Sequence, residues 1–111
     1  MFKNIKDNIE LHRDKIIETG EWIYKNPETG FKEFKTSAYV IERFKELGIS
    51  YTEFGNIPGA KATIDTGREG PSVAILGELD SIVCHEHPDS EKETGAVHAC
   101  GHNVQVAAML G

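Results

Sequence analysis

The sequence has 111 residues, 39% hydrophobic and 27% charged, a composition typical of one folded domain rather than a disordered chain. Its formal net charge of -6 provides no basic surface to neutralise phosphates, so we expect no nucleic-acid partner. No apolar run approaches the roughly 20 residues of a membrane span, and the N-terminus lacks the apolar core of a secretory signal. We therefore expect a cytoplasmic protein without a membrane partner, whose Cys84 and Cys100 are thiols or ligands rather than a disulfide.

Two amphipathic helices are predicted in the first half of the chain. Isoleucines at helical spacing indicate a helix over residues 4–25, although Gly20 lies inside it. Pro27 in "KNPETGF" should end that helix. A second apolar stripe predicts a helix over residues 32–47, and Gly48 is suitably placed to cap its C-terminus.

Three strands are predicted next. "ISYTEF" and "AKATID" have strand-like residues or alternation and are separated by the loop "GNIPG". "VAILGELD", residues 73–80, is a continuous apolar run that ends in acids, which is typical of a central strand buried on both faces. Acids at the carboxyl end of such a strand lie where open α/β sheets usually place their sites. Residues 81–96 are polar and predict a loop.

The chain closes on "NVQVAAML", which predicts the first turns of a helix with Asn103 as its N-cap. The sequence then ends at Gly111 within an apolar helix, and we expect it to be part of a longer protein. If nothing covers this helix, it exposes Val104, Val106, Ala107 and Leu110, and such apolar surface favours self-association into a homo-oligomer.

The segment "HACGH" places His98, Cys100 and His102 at a spacing of two residues. Thiolate and imidazole groups are good ligands for zinc and its neighbours, and extended residues at this spacing point to one face. A buried apolar cysteine and satisfied histidines are the alternative interpretation. Standard zinc sites pair two such clusters, so this spacing leaves a metal role and a structural role about equally supported.

Two further groups could contribute to a metal site. Glu78 and Asp80 alternate at the end of the predicted strand, so both carboxylates should share a face and could bind a metal or orient a histidine. "CHEH" contains Cys84, His85 and His87, which most simply belong to a solvated loop. The alternative is a small zinc-binding structural or interaction module, in which Cys84 and His87 or His85 complete a four-ligand site with Cys100 and His102.

Three motifs in order carry a family resemblance over nearly the whole chain: "NPETGFKEFKTS", "GPSVAILGELDS" and "GAVHACGHN". Together they resemble the N-terminal part of the two-metal peptidase and amidohydrolase family of aminoacylases, carboxypeptidase G-like enzymes and auxin-conjugate hydrolases. The aminobenzoyl-glutamate hydrolase-like amidohydrolases are the most similar subgroup in appearance.

The resemblance implies a role for several residues. Cys100 and His102 would be metal ligands, and Asp80 would be the catalytic-site carboxylate that orients a ligand. Glu78 lies where more distant members have a metal-binding histidine, so it is a possible ligand. Asn103 replaces an aspartate of the auxin-conjugate hydrolases, and His98 belongs to the motif without being expected to bind metal.

The resemblance also implies the reaction and the architecture. Family enzymes hold two divalent ions, zinc or manganese, and hydrolyse an amide bond. We expect an α/β fold in which N-terminal helices pack on a small mixed sheet, with residues 1–111 forming part of the catalytic domain and the lid or dimerisation domain absent. The expected substrate is a small molecule: an N-acyl amino acid, a dipeptide or an aminobenzoyl-glutamate-like amide. Since the general base and the remaining ligands of the family lie beyond residue 111, the isolated chain should be inactive.

Overall fold

A computed structural model describes the whole chain, Met1–Gly111, as four helices and two small antiparallel sheets. The elements in chain order are α1 (Phe2–Leu11), α2 (Arg13–Lys25), α3 (Phe34–Glu46), β1 (Tyr51–Glu53), β2 (Ala60–Ala62), β3 (Ile82–Val83), β4 (Ala96–Val97) and α4 (His102–Leu110). The expected combination of helices with small sheets is confirmed. The sheets are two antiparallel pairs, β1 with β2 and β3 with β4, rather than one mixed sheet. None of the helices has the length and apolar character needed to cross a bilayer.

The N-terminal helix is divided into α1 and α2. His12 separates them with φ -101° and ψ 7°, in the sparsely allowed region between helical and extended backbone. The single helix predicted over residues 4–25 is therefore wrong at this point. Because α1 has no buried residue, no packed face keeps it on the axis of α2.

The core forms where α2, α3 and α4 meet the first sheet. Ile23, Val40, Phe44 and Val106 are its buried members, and Tyr51 and the β2 alanines pack against them. The second helix was predicted correctly, and Gly48 follows it with φ 69°, the left-handed conformation expected beyond a helix C-terminus. The strands expected over 49–54 and 60–65 are confirmed as the shorter β1 and β2.

Helix α4 packs closely on α2. Gly20 lies at this contact, where even an added Cβ atom would lie at an ordinary van der Waals distance of 3.5 Å from the Cβ of Ala107. The expected helix is confirmed, and the rest of the chain covers two of its apolar residues, since Val106 and Ala107 are 0% and 6% exposed. Val104 does remain exposed, so self-association stays a prediction.

The buried central strand predicted over residues 73–80 is absent. These residues are extended but pair with no other strand, and Val73, Ile75 and Leu76 are largely exposed. A strand of this type is stable when neighbours satisfy its backbone on both sides, and no other segment of the described chain runs alongside it. The prediction that residues 81–96 form only a loop was also wrong, because they contain β3 and the start of β4.

Candidate metal centre

Two acidic residues of the extended segment lie beside the first turns of α4. Gly77 permits this approach, because a Cβ atom at that position would lie 3.0 Å from the sulfur of Met109. The backbone N–H of Glu78 donates to the side-chain oxygen of Gln105 at 2.6 Å. These contacts hold Glu78 and Asp80 close to His102, the first residue of α4.

The ring of His102 meets an acidic residue at each nitrogen. Nδ1 lies 2.9 Å from the backbone carbonyl of Asp80 and 2.9 Å from its carboxylate. Because a carbonyl oxygen can only accept, Nδ1 carries a proton and Nε2 is the nitrogen with a lone pair in the neutral ring. Nε2 lies 3.1 Å from a carboxylate oxygen of Glu78. Two atoms with lone pairs attract each other at that distance only when a proton or a metal cation lies between them.

The three side chains form a group suited to a divalent cation. Ligand atoms of Glu78, Asp80 and His102 all lie within 4.8 Å of one another. The Glu78 and Asp80 side chains are 62% and 41% exposed, so an ion can reach them from solvent. Two carboxylates and one imidazole are ligand types found at both zinc and manganese sites. Both acids thus lie beside His102 of the HACGH segment, and their expected roles as ligands or orienting groups stay predictions.

The electrostatics at His102 favour a cation at Nε2. Burial lowers the pKa of His102, but the hydrogen bond to the Asp80 carbonyl and the negative charges of Asp80 and Glu78 outweigh it, and the net shift is upward. A metal ion at Nε2 would have to displace the proton there, and the same negative charges of Asp80 and Glu78 would attract the ion.

His98 is buried without a partner. It is 4% exposed, and neither ring nitrogen has a hydrogen-bond partner. Burial, followed by the charge of nearby His102, lowers the pKa of His98, while Asp80 and Glu28 oppose that shift. His98 is thus a buried ring close to the group, and the expectation that it is not a direct ligand stays a prediction.

The structure places Cys100 and Asn103 differently from the acids. Cys100 is exposed and lies outside the group of ligand atoms, so its role as a ligand stays a prediction. Asn103 is buried and donates its side-chain N–H to the carbonyl of Gly20 at 3.2 Å, which ties α4 to α2. The prediction that Asn103 is the N-cap of α4 was wrong. Gly101 occupies that position with φ 105°, a conformation that glycine adopts without steric cost.

The "CHEH" residues do not approach His102 as ligands. The Cys84 thiol lies 3.7 Å from the Glu86 carboxylate, and Nδ1 of His87 accepts from the backbone of Asp89 at 3.1 Å. His85 lies over Gly95 instead. The arrangement required for the zinc-module hypothesis, in which these side chains join Cys100 and His102, is not found in the chain.

We therefore expect Cys84→Ser to leave zinc affinity unchanged. The substitution replaces a thiol by a hydroxyl of similar size, away from the atoms that would bind the ion. Competition of the purified chain with a chromogenic zinc chelator measures this affinity. A loss as large as that caused by His102→Ala would instead favour the zinc module.

Gln105 is a site residue that sequence reasoning missed. Its side chain binds the backbone of Glu78 and lies 3.4 Å from the Glu78 carboxylate. The available signal was its spacing, because residues three apart on a helix share a face and Gln105 follows His102 by three. A glutamine there can orient Glu78 by hydrogen bonding without adding charge.

Sequence comparison finds similar proteins among known enzymes. The chain is 34% identical to thermostable carboxypeptidase 2 of Saccharolobus solfataricus, over all of this chain and 29% of that protein. It is 31% identical to N-acetyl-L-cysteine deacetylase of Bacillus subtilis, over 94% of this chain and 26% of the relative. It is also 34% identical to IAA-amino acid hydrolase ILR1-like 2 of Arabidopsis thaliana, over 88% of this chain and 23% of the relative. The chain thus spans less than a third of the length of these relatives.

Structural comparison agrees with the sequence. A crystal structure described as an aminohydrolase from methicillin-resistant Staphylococcus aureus matches with a TM-score of 0.82 and 28% identity, over 99% of this chain and 30% of that one. No protein-family model matches the chain. The resemblance predicted from the three motifs is confirmed: the chain is homologous to a segment of these carboxypeptidases, deacetylases and amidohydrolases.

Proposed function

We propose that the chain supplies part of the divalent-metal centre of an amide-bond hydrolase. The observation that carries this proposal is the group of Glu78, Asp80 and His102, with Nε2 of His102 facing a carboxylate. The names of the relatives support hydrolysis of amide bonds. A divalent ion bound there would supply Lewis-acid activation of an amide carbonyl and of water.

Each of the three residues has a distinct role in this proposal. Asp80 holds Nδ1 of His102 with two oxygens and thereby presents Nε2 as a ligand. Glu78, which faces Nε2, contributes a carboxylate ligand. Cys100, two residues before His102, is proposed as a further ligand. The carboxylate and imidazole groups suit zinc or manganese, whereas the Cys100 thiolate would favour zinc, and a second ion would need ligands supplied by the rest of the protein.

The proposed substrate is a small amide: an N-acyl amino acid, a dipeptide or an aminobenzoyl-glutamate-like compound. The three relatives are named for a carboxypeptidase, a deacetylase and an amino-acid-conjugate hydrolase, and such substrates share an amide bond next to an amino-acid residue. We further propose that residues 1–111 are the N-terminal part of the catalytic domain and that the protein is cytoplasmic, in keeping with its two free cysteines.

A chimera tests the proposed activity. The matched segment of thermostable carboxypeptidase 2 would be replaced by this chain, because the aligned region covers the whole chain at 34% identity and a thermostable host has stability to spare. We expect metal-dependent hydrolysis of N-acyl amino acids or dipeptides that falls by at least about 100-fold in His102→Ala, since even outer partners of ligands cost 10–100-fold.

The matched control in the chimera is His85→Ala, which removes an exposed histidine outside the ligand group. It should retain the activity of the unmodified chimera. A folded chimera that binds metal but hydrolyses none of these amides, or one that loses the same activity in both variants, would contradict the proposed function.

A further inference from the structure

Glu28, in the turn between α2 and α3, is hydrogen-bonded on both its side chain and its backbone. One carboxylate oxygen accepts from the backbone N–H of Thr36 at 2.7 Å and from its hydroxyl at 2.8 Å, and the other accepts from the N–H of Lys35 at 3.1 Å. The Glu28 carbonyl accepts from the backbone N–H of Ser81 at 2.8 Å and from its hydroxyl at 2.9 Å. One residue thus connects the start of α3 to the residue that follows Asp80.

Two of the residues that Glu28 contacts are buried. Thr36 is 0% exposed and Ser81 is 7% exposed. The hydrogen-bonding groups of these two buried residues are costly to leave without a partner. The carboxylate of Glu28 also lies at the N-terminus of α3, where a negative charge is favourable. The turn that contains Glu28 is therefore fixed to α3, and Ser81 is fixed to that turn.

The backbone before Asp80 is held by a side chain, since the N–H of Glu78 donates to Gln105, but it has no backbone–backbone hydrogen bond. No backbone–backbone hydrogen bond involves residues 64–80, whereas Ser81 is held by Glu28 and the strand β3 follows it directly. Asp80 contacts His102 through its backbone carbonyl as well as its carboxylate. Both contacts depend on the backbone at residues 80–81, and the attachment of Ser81 restrains that backbone directly after Asp80.

We propose that Glu28 is a positioning residue of the metal centre, which acts through Ser81 to hold Asp80 against Nδ1 of His102. The inference rests on the proposed metal centre for its role in metal binding. This role of Glu28 in "NPE" differs from that of a helix cap. A cap would affect the stability of α3 without changing the tautomer of the His102 ring. Outer groups that orient ligands in this way typically change metal affinity by 10–100-fold.

The test compares Glu28→Ala with Glu28→Gln. Alanine removes the anchor of the turn on α3, whereas the glutamine oxygen can still accept both bonds from Thr36. The matched control is Glu91→Ala, since Glu91 accepts from the backbone N–H of Thr94 at 2.6 Å and from its hydroxyl at 2.8 Å in a loop away from Asp80. Circular dichroism selects a temperature at which all variants are folded.

The first readout is titration with Co²⁺, followed by its visible absorption. We expect Glu28→Ala to weaken Co²⁺ binding by about 10–100-fold, while Glu28→Gln and Glu91→Ala remain close to the parent chain. Folded Glu28→Ala that binds like the parent, or an equal loss in Glu91→Ala, would overturn the inference. If Glu28→Ala does not fold, Ser81→Ala serves in its place, and it should weaken binding by removing the hydroxyl bond to Glu28.

The second readout is the ¹⁵N NMR spectrum of the His102 ring in the metal-free chain. The parent and Glu28→Gln should show the proton fixed on Nδ1, and Glu28→Ala should show a mixture of tautomers. An unchanged tautomer in Glu28→Ala would overturn the positioning role. Equal Co²⁺ binding by the parent and His102→Ala would contradict the proposed metal centre. It would leave the positioning of Asp80 by Glu28 to be judged by the tautomer measurement, which does not depend on metal.

Discussion

Replacing His102 by alanine is expected to weaken binding of Zn²⁺ or Mn²⁺ to the chain by at least about 100-fold, beyond the upper end of the effect of losing a residue that merely orients a ligand. His102 supplies Nε2, the nitrogen whose lone pair faces the carboxylate of Glu78 at 3.1 Å. Without the ring, two exposed carboxylates remain, and exposed acids alone bind such ions weakly. Isothermal titration of the metal-free chain measures the loss.

The matched control for this prediction is His85→Ala. His85 is an exposed histidine in the same part of the sequence, but its ring lies over Gly95 and outside the ligand group. Its replacement should leave the affinity close to that of the parent chain. A similar loss in both variants would mean that binding comes from scattered surface histidines rather than from the proposed centre.

Replacing Ile23 by alanine should lower the free energy of unfolding by about 2–5 kcal/mol. Ile23 is 0% exposed and belongs to the four-residue core, whose members come from α2, α3 and α4. Residues of β1 and β2 pack against this core. A cavity there removes contacts from three helices at once. Since domains are typically stable by only about 5–15 kcal/mol, this is a large share of the total, and urea unfolding followed by circular dichroism measures it.

The control for the core substitution is Ile9→Ala. Ile9 is the same residue type on α1, where it is 47% exposed and no residue is buried. Its replacement should change the free energy of unfolding by no more than about 0.5 kcal/mol. Equal losses at both positions would show that the packing of α2 against α3 and α4 does not dominate the stability of this chain.

The parts of the fold that could be predicted are those fixed by local pattern. Helices α2 and α3 are predicted by apolar residues that recur at helical spacing, and the turn is predicted by Gly48 directly after the second of these patterns. The segment over 73–80 could not be predicted in this way. Its apolar run indicates burial, but the strand pairing that would order it depends on neighbours that the described chain does not supply.

Some residues of the site could also be predicted from local pattern, and others could not. Alternation placed Glu78 and Asp80 on one face, and the structure brings both to His102. The role of Asn103 was less predictable, because an asparagine before an apolar run fits an N-cap equally well, and only the packing of α4 on α2 gives it the Gly20 carbonyl as a partner. Glu28 lies 52 residues before Asp80, and no local spacing relates the two.

The measurement that most directly tests the central claim is a Zn²⁺ titration of the chain followed by side-chain ¹⁵N NMR of its histidines. The account predicts that Nε2 of His102 shifts on zinc binding, with its Nδ1 still protonated by contact with Asp80, while the rings of His85 and His87 keep their metal-free signals. Zinc-dependent shifts at His85 or His87, with His102 unchanged, would contradict it and place the metal in the "CHEH" loop instead.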